Sequence, residues 1–148
     1  MLKALTEALC EKLAHTFPEF TIYDDGFIPQ DFVRPAFCIC IDEVKHTKRN
    51  TRLVLHSIDV TIYAFPKLTE SGTAKAATLQ DTIEKVCSML YCGYIKAGDR
   101  ALKVDGSIKS DCTFTDAYAE FTLYYTSEYY SETDDRKMQK ININSRGE

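Results

Sequence analysis

The residues of this chain with the clearest potential for chemistry are its six cysteines. Cys38 and Cys40 are separated by one residue, so on a strand both thiolates would point the same way, and Cys87 or Cys112 could complete a zinc site. Zinc sites usually use two close Cys-x-x-Cys pairs, whereas these cysteines are scattered through apolar patterns. The simpler interpretation is that they are small buried hydrophobic residues, and we therefore expect no metal and no other cofactor.

The three histidines offer a second kind of chemistry, because a histidine beside a cysteine could activate it as a nucleophile. His15 lies at a predicted helix end, His46 in a polar stretch and His56 within a predicted strand. The sequence does not bring any of them to a cysteine, and it contains no Gly-rich phosphate loop, no H-E-x-x-H and no G-x-S-x-G. We expect no catalytic residue, and a small Cys/His enzyme is a less favoured alternative.

Two charged stretches remain. Asp24, Asp25 and Asp31 lack the alternating ligand spacing of an EF-hand loop, so a solvated acidic turn is the simpler interpretation. The second stretch reads as a basic loop over residues 45–52. Its basic members are Lys45, His46, Lys48, Arg49 and Arg52. This loop is either a solvated hairpin loop or a contact for an acidic partner or a nucleic-acid backbone.

Composition and charge limit the class of protein. The chain has 148 residues, a formal net charge of −4 and 45% hydrophobic residues, which fits one globular domain. An acidic chain argues against a general nucleic-acid-binding module, and no run of about 18 apolar residues exists to cross a membrane. Glu7 and Glu11 interrupt the N-terminal apolar pattern, so we expect no signal peptide and reduced cysteines in a cytosol.

Hydrophobic periodicity predicts two helices and five strands. The predicted helices span 2–17 and 73–92, and the predicted strands span 20–23, 36–42, 53–65, 101–109 and 112–130. Two helices cannot cover both faces of such a sheet, so we predict an α+β fold in which both pack on one face of a mainly antiparallel sheet of about five strands. We expect one domain over 1–130 and a polar tail over 131–148, where Met138, Ile141 and Ile143 could form a short terminal strand.

The face of the sheet turned away from the helices carries more large side chains than a solvated surface needs. Strand alternation places on it Leu55, Tyr63, Phe65, Tyr118 and Tyr124. Such patches mark protein contacts, and tyrosine is enriched at interfaces. We therefore predict that these residues contribute to an interface. The alternative is that the loop 27–35 or the C-terminal tail folds over them.

The order of the elements, together with several local sequences, resembles one family. The positions that carry the resemblance are Phe17-Pro18, Ile22-Tyr23, Pro35 and Phe37, the loop Lys48–Arg52, and Ile62, Phe65 and Pro66. Over roughly residues 5–130, this pattern resembles the small tail terminator proteins of long-tailed phages and prophages of Gram-positive bacteria.

The resemblance implies a structural protein of the virion, assembled in the host cytoplasm, rather than an enzyme. It implies a homo-oligomeric ring, commonly a hexamer, that caps the tail tube and forms the surface joining tail to head. The expected partners are other copies of the chain, the tail tube protein and a head-completion protein. No membrane contact is expected, and DNA would only pass through the ring lumen. A head-completion or other connector protein is the closest alternative.

Overall fold

Two helices and seven strands make up residues 1–129, the part of the chain that the computed structural model describes. The elements are α1 (Leu2–Thr16), β1 (Thr21–Tyr23), β2 (Ala36–Lys48), β3 (Leu53–Phe65), α2 (Ala76–Leu90), β4 (Tyr94–Ala97), β5 (Arg100–Val104), β6 (Lys109–Cys112) and β7 (Ala117–Glu128). The predicted tail over 131–148, with its candidate strand, lies outside the described residues. The division into a domain over 1–130 and a tail therefore stays a prediction.

The sheet is mainly antiparallel, as predicted. Its strand order is β1-β2-β3-β7-β5-β4, and β6 pairs separately with β7. The exception is β1, which runs parallel to β2 and is joined to it by the long loop 24–35. The three longest strands lie side by side, because β3 pairs along nearly its whole length with β2 on one side and β7 on the other. No helix of the described part is long and apolar enough to cross a membrane.

Both helices pack on the same face of the sheet, which confirms the predicted architecture. Leu5, Leu9 and Leu13 of α1 are fully buried, and α2 buries an apolar stripe beside them. The sheet supplies alternate residues of β3 and β7, and all of these side chains belong to one hydrophobic cluster. The sheet residues concerned are Ile58, Val60, Ile62, Ala64, Ala117, Ala119, Phe121 and Leu123. Since fully burying one large aliphatic side chain contributes about 1.5–3 kcal/mol, this layer fixes which face is inside.

The strand β2 is longer than the sequence indicated, and a bulge explains why. Phe37, Ile39 and Ile41 alternate as predicted, but the pairing with β3 shifts register between Ile41 and Glu43. The extra residue resets the alternation, so that Val44 pairs with Ile58 and the strand continues to Lys48. The predicted basic loop over 45–52 was therefore wrong in its start, and Lys45 lies within a strand.

The second half of the sheet is divided more finely than predicted. The expected strand 101–109 ends at Val104 as β5, a separate strand β6 spans Lys109–Cys112, and the expected strand 112–130 is β7, which begins only at Ala117. The strand β4 was not predicted, because only Ile95 and Ala97 carry its inward-facing apolar pattern. It forms a hairpin with β5 through a tight turn at Gly98, whose φ of 63° suits glycine. These short pieces raise the count within residues 1–129 from about five strands to seven.

The ring of Phe37 is the clearest test of this core. It is fully buried, with ring centroids 4.9 Å from Phe17 and 4.5 Å from Phe20. We predict that Phe37→Ala lowers the free energy of unfolding by about 3–5 kcal/mol in urea denaturation, because it leaves a cavity. The matched control is Phe114→Ala, whose ring is 81% exposed and whose loss should change the value by less than about 0.5 kcal/mol. Equal effects of the two variants would refute this description of the core.

Candidate functional site

The five predicted interface residues all lie on the face of the sheet opposite the helices, called here the helix-free face. They are Leu55, Tyr63, Phe65, Tyr118 and Tyr124, and each is half-buried. Tyr63 pairs across the strands with Tyr118, and their ring centroids are 6.1 Å apart. Tyr124 pairs with Ser57, one step from Leu55 along the same face. The structure therefore places these residues on one surface, in two groups separated along the strands.

The loop 24–35 covers one end of the helix-free face. The ring of Phe32 lies 5.0 Å from that of Phe65 and 6.5 Å from that of Tyr23. The Arg34 guanidinium sits over Phe65 and donates hydrogen bonds to the carbonyl oxygens of Pro66 (3.1 Å) and Thr115 (2.8 Å). The alternative interpretation of the face thus holds for Phe65, which contacts this loop.

An acidic groove lies between the two groups of large side chains. This groove has a volume of about 490 Å³, and the charged residues that line it within 1–129 are Asp42, Asp59, Asp105, Lys109 and Glu120. The hydroxyl of Thr61 donates to Asp42, and that of Thr122 donates to Asp59 over 2.7 Å. These bonds fix two of the carboxylates on the helix-free face.

The sequence analysis missed the acidic groove, because its carboxylates come from four separate segments. The only local signal is the spacing of Asp59 from Thr61 and of Glu120 from Thr122, which puts each acid two residues from a hydroxyl on the same strand face. The salt bridges between described residues join Lys45 to Glu43 and Lys85 to Asp81. None of the groove carboxylates is therefore in an ion pair with a described residue.

The predicted basic residues gather at the turn between β2 and β3, at the far end of the sheet from the loop 24–35. We call residues Lys48–Arg52 the basic tip. Asn50 builds its turn, since its side-chain oxygen accepts hydrogen bonds from the backbone N–H groups of Arg52 (2.8 Å) and Leu53 (2.9 Å). Lys48 lies over the ring of Tyr129, and Arg49 is exposed. Lys45 lies further back on β2, beside Glu43.

Two histidines meet across β2 and β3 near the basic tip. His46 pairs with His56, and their Nδ1 atoms are 2.7 Å apart, so the N–H of one ring donates a hydrogen bond to the other ring. The Nε2 atom of His56 lies 2.6 Å from the hydroxyl oxygen of Ser127, and its ring stacks on Tyr125 at 4.4 Å. Burial lowers the pKa of His56 from its ordinary value of 6.5, and the nearby His46 and Arg100 lower it further. The sequence analysis considered a pair of a cysteine and a histidine. At His56 the structure instead brings two histidines together.

Burial raises the pKa of five of the cysteine thiols, which are Cys10, Cys38, Cys40, Cys87 and Cys112. Burial raises the pKa of Cys38 to about 12, and the neighbouring Cys40, whose sulfur lies 3.8 Å away, adds to the shift. Burial likewise raises the pKa of Cys10 to about 11, with a further contribution from Asp24. Within residues 1–129, no three His, Cys, Asp or Glu side chains are arranged to hold a metal ion. The expectation that the protein binds no metal stays a prediction.

The fold and these surfaces define an α+β protein with an open sheet face and two separated charged regions, an arrangement suited to contacts with other proteins. The family model described as phage tail terminator protein matches residues 4–137 of the 148. The chain therefore belongs to the phage tail terminator family, which confirms the resemblance. It is a structural protein of the phage tail, located in the virion, that interacts with other tail components. A search among curated proteins finds no match.

The lowered pKa of His56 makes stability depend on pH. Below about pH 6.5, His56 binds a proton more readily in the unfolded chain than in the folded one. We therefore predict that stability falls as the pH is lowered through that value. His56→Gln should flatten the pH dependence of the urea midpoint between about pH 7.5 and 5.5. His15→Gln, a change of an exposed histidine at the end of α1, should leave it as in the parent. An unchanged slope in the His56 variant would contradict the assignment.

The raised thiol pKa values predict an order of labelling. At neutral pH a thiol reagent should modify the exposed Cys92 first, because buried Cys38 is almost entirely protonated and inaccessible. Stopped-flow labelling of the native protein should lose its fastest phase in Cys92→Ser and keep it in Cys38→Ser. If Cys38→Ser removes the fast phase instead, the described environment of this thiol is wrong.

Proposed function

We propose that the chain closes into a homo-oligomeric ring, a hexamer, which caps the growing tail tube and presents the surface that joins tail to head. The observation that carries this proposal is the helix-free face, where Tyr63, Tyr118 and Tyr124 are half-buried without helices packed over them. Large aromatic side chains on an open sheet face favour burial against another protein. The family membership supports the same conclusion, because it makes the chain a tail terminator.

Ring closure would explain termination physically. A contact between unlike surfaces of identical chains repeats head to tail, and it closes into a ring when the rotation between neighbours allows it. Among described residues, β2 has a partner on its outer side only at residues 36–38, so the rest of that side is an open edge. A closed ring that covers such edges leaves no position for a further tube subunit, while its opposite face offers a new docking surface.

The proposed partners follow from this arrangement. One face of the ring contacts the tail tube protein, the other contacts a head-completion protein, and DNA passes through the lumen. Assembly takes place in the host cytoplasm, and the ring remains in the virion. The protein would act by steric exclusion and by shape, and none of its residues is assigned a catalytic role.

The interface can be tested by measuring the mass of the oligomer. Light scattering should give about 100 kDa for a ring of six 16.8-kDa chains, and Tyr63→Ser with Tyr118→Ser should lower it, because the paired rings would no longer be buried between copies. Leu55→Ser with Tyr124→Ser tests the second group on the same face. The control is Tyr91→Ser, which changes a tyrosine that is 72% exposed at the C-terminal end of α2. Circular dichroism of each variant checks that its chain is folded.

A functional assay completes the test. Purified tail tube protein should polymerise into long tubes alone and into shorter, capped tubes when this chain is added, as measured by negative-stain electron microscopy. If folded variants of both interface pairs keep the parent's mass, the assignment of the interface is wrong. If tube length is unaffected by the parent chain, the terminator function is wrong, and binding to a head component instead would favour the connector alternative.

A further inference from the structure

We propose that the basic tip of one copy enters the acidic groove of the next copy, so that this charged pair sets the head-to-tail contact of the ring. The inference rests on the proposed function, because it names the contact that would build the same ring. The proposed partner of the helix-free face is therefore a second copy of this chain.

The first argument is the charge of the groove. Among the described residues, four carboxylates and one lysine line the groove, in a chain whose formal net charge is −4. Thr61 and Thr122 hold Asp42 and Asp59 in place, so these two acids cannot turn away freely to reduce their mutual repulsion. A cationic group placed among them would relieve that repulsion, and in a partly enclosed groove the interaction is stronger than on an open surface.

The second argument is the complementary charge at the other end of the same strands. Lys48, Arg49 and Arg52 lie together at the basic tip. The hydrogen bonds of the Asn50 side chain and the bond from the Arg49 N–H to the Leu53 carbonyl oxygen (2.8 Å) give this turn a fixed shape. A preformed turn loses little conformational freedom when it docks, which favours its use as a contact.

The third argument is distance, which excludes pairing within one copy. Asp42 and Lys48 are six residues apart on β2, or about 20 Å along the strand. Since β2 is paired with β3 up to Lys48, and β3 is paired with β7 up to Leu53, the hairpin cannot fold back onto its own groove. The tip of one copy can therefore reach only the groove of another, and this is the unlike-surface contact that a ring requires.

The position of the groove also agrees with the tyrosine interface. Tyr63 and Tyr118 lie on one side of it along the strands, and Leu55 and Tyr124 lie on the other. A tip that enters the groove would place its flanking strands against these apolar side chains. Charges would then fix the orientation of the neighbouring copy, while the aromatic rings supply buried area. Nucleic acid is a weaker candidate partner for the tip, because it would leave the acidic groove unexplained and the acidic chain repels it.

A charge-reversal experiment tests the pairing. The tip variant carries Lys48→Glu with Arg49→Glu, and the groove variant carries Asp105→Lys with Glu120→Lys. Each should weaken assembly roughly tenfold or more, measured as the concentration at which the ring dissociates, because like charges would then face each other. Raising the salt concentration should weaken the parent ring in the same direction. Lys3→Glu with Lys85→Glu, which makes the same charge change as the tip variant on the two helices, should leave the parent's affinity unchanged.

Mixing gives the decisive measurement. Equal amounts of the tip variant and the groove variant should recover the parent's mass, because each reversed tip then meets a reversed groove and each normal tip a normal groove, in an alternating ring. Combining all four changes in one chain should restore assembly as well. Failure of both rescues, with folded variants, would overturn the pairing.

The other outcomes separate this inference from the proposed function. If the parent forms rings and the charge variants form them equally well, the pairing is wrong and the ring remains. If in addition the tip variant binds duplex DNA less tightly than the parent, the tip is a nucleic-acid contact. If the parent forms no ring in solution or on tube ends, the proposed function itself fails.

Discussion

The rest of the structure depends on a mismatch of length between the long strands and the helices. The strands β2 and β3 have 13 residues each and extend about 43 Å, whereas the two helices have 15 residues each and extend about 22 Å. Both helices are needed on one face to cover the central apolar residues of β3 and β7. One face therefore stays without helices, and the hairpin between β2 and β3 extends past the core. The mismatch of length therefore produces both regions that carry the proposed contacts, the helix-free face and the basic tip.

The bulge in β2 limits how this long outer strand can pair with strands of other molecules. Asp42 and Glu43 lie at the register shift between Ile41 and Glu43, and Lys45 follows on the same strand. A bulge and charged side chains at a sheet edge discourage unspecific pairing with other strands. The same bulge turns Asp42 toward Thr61 on the helix-free face, so it contributes a carboxylate to the acidic groove. A feature that protects the edge of the monomer thus also shapes the surface proposed for docking.

The sequence predicted those parts of the fold that depend on long, regular patterns. The strand β3 matches its predicted bounds, because thirteen residues of alternation leave little freedom of register, and α1 ends where Pro18 requires it. The extension of β2 could not be predicted, because one inserted residue at Asp42 reverses the alternation that identifies a strand. The acidic groove and the contact of His46 with His56 depend on which strands are neighbours, and that information is absent from local patterns. The tyrosine face was predictable, since it follows from alternation alone.

The charged groups and the aromatic surface have different roles in the proposed assembly, because their interaction free energies differ in size and in dependence on orientation. An exposed ion pair contributes only about 0–1 kcal/mol, so a basic tip on an open surface would add little to the stability of an assembly. The same charges in a groove flanked by Tyr63 and Tyr124 would be partly withdrawn from water. A wrong orientation would place like charges together in this groove, which costs several kcal/mol. Burial of the aromatic rings is non-directional and would favour many orientations about equally. A ring that must close at a fixed number of copies needs one orientation, and in the proposed assembly the charged tip and groove supply that selection while the rings supply the affinity.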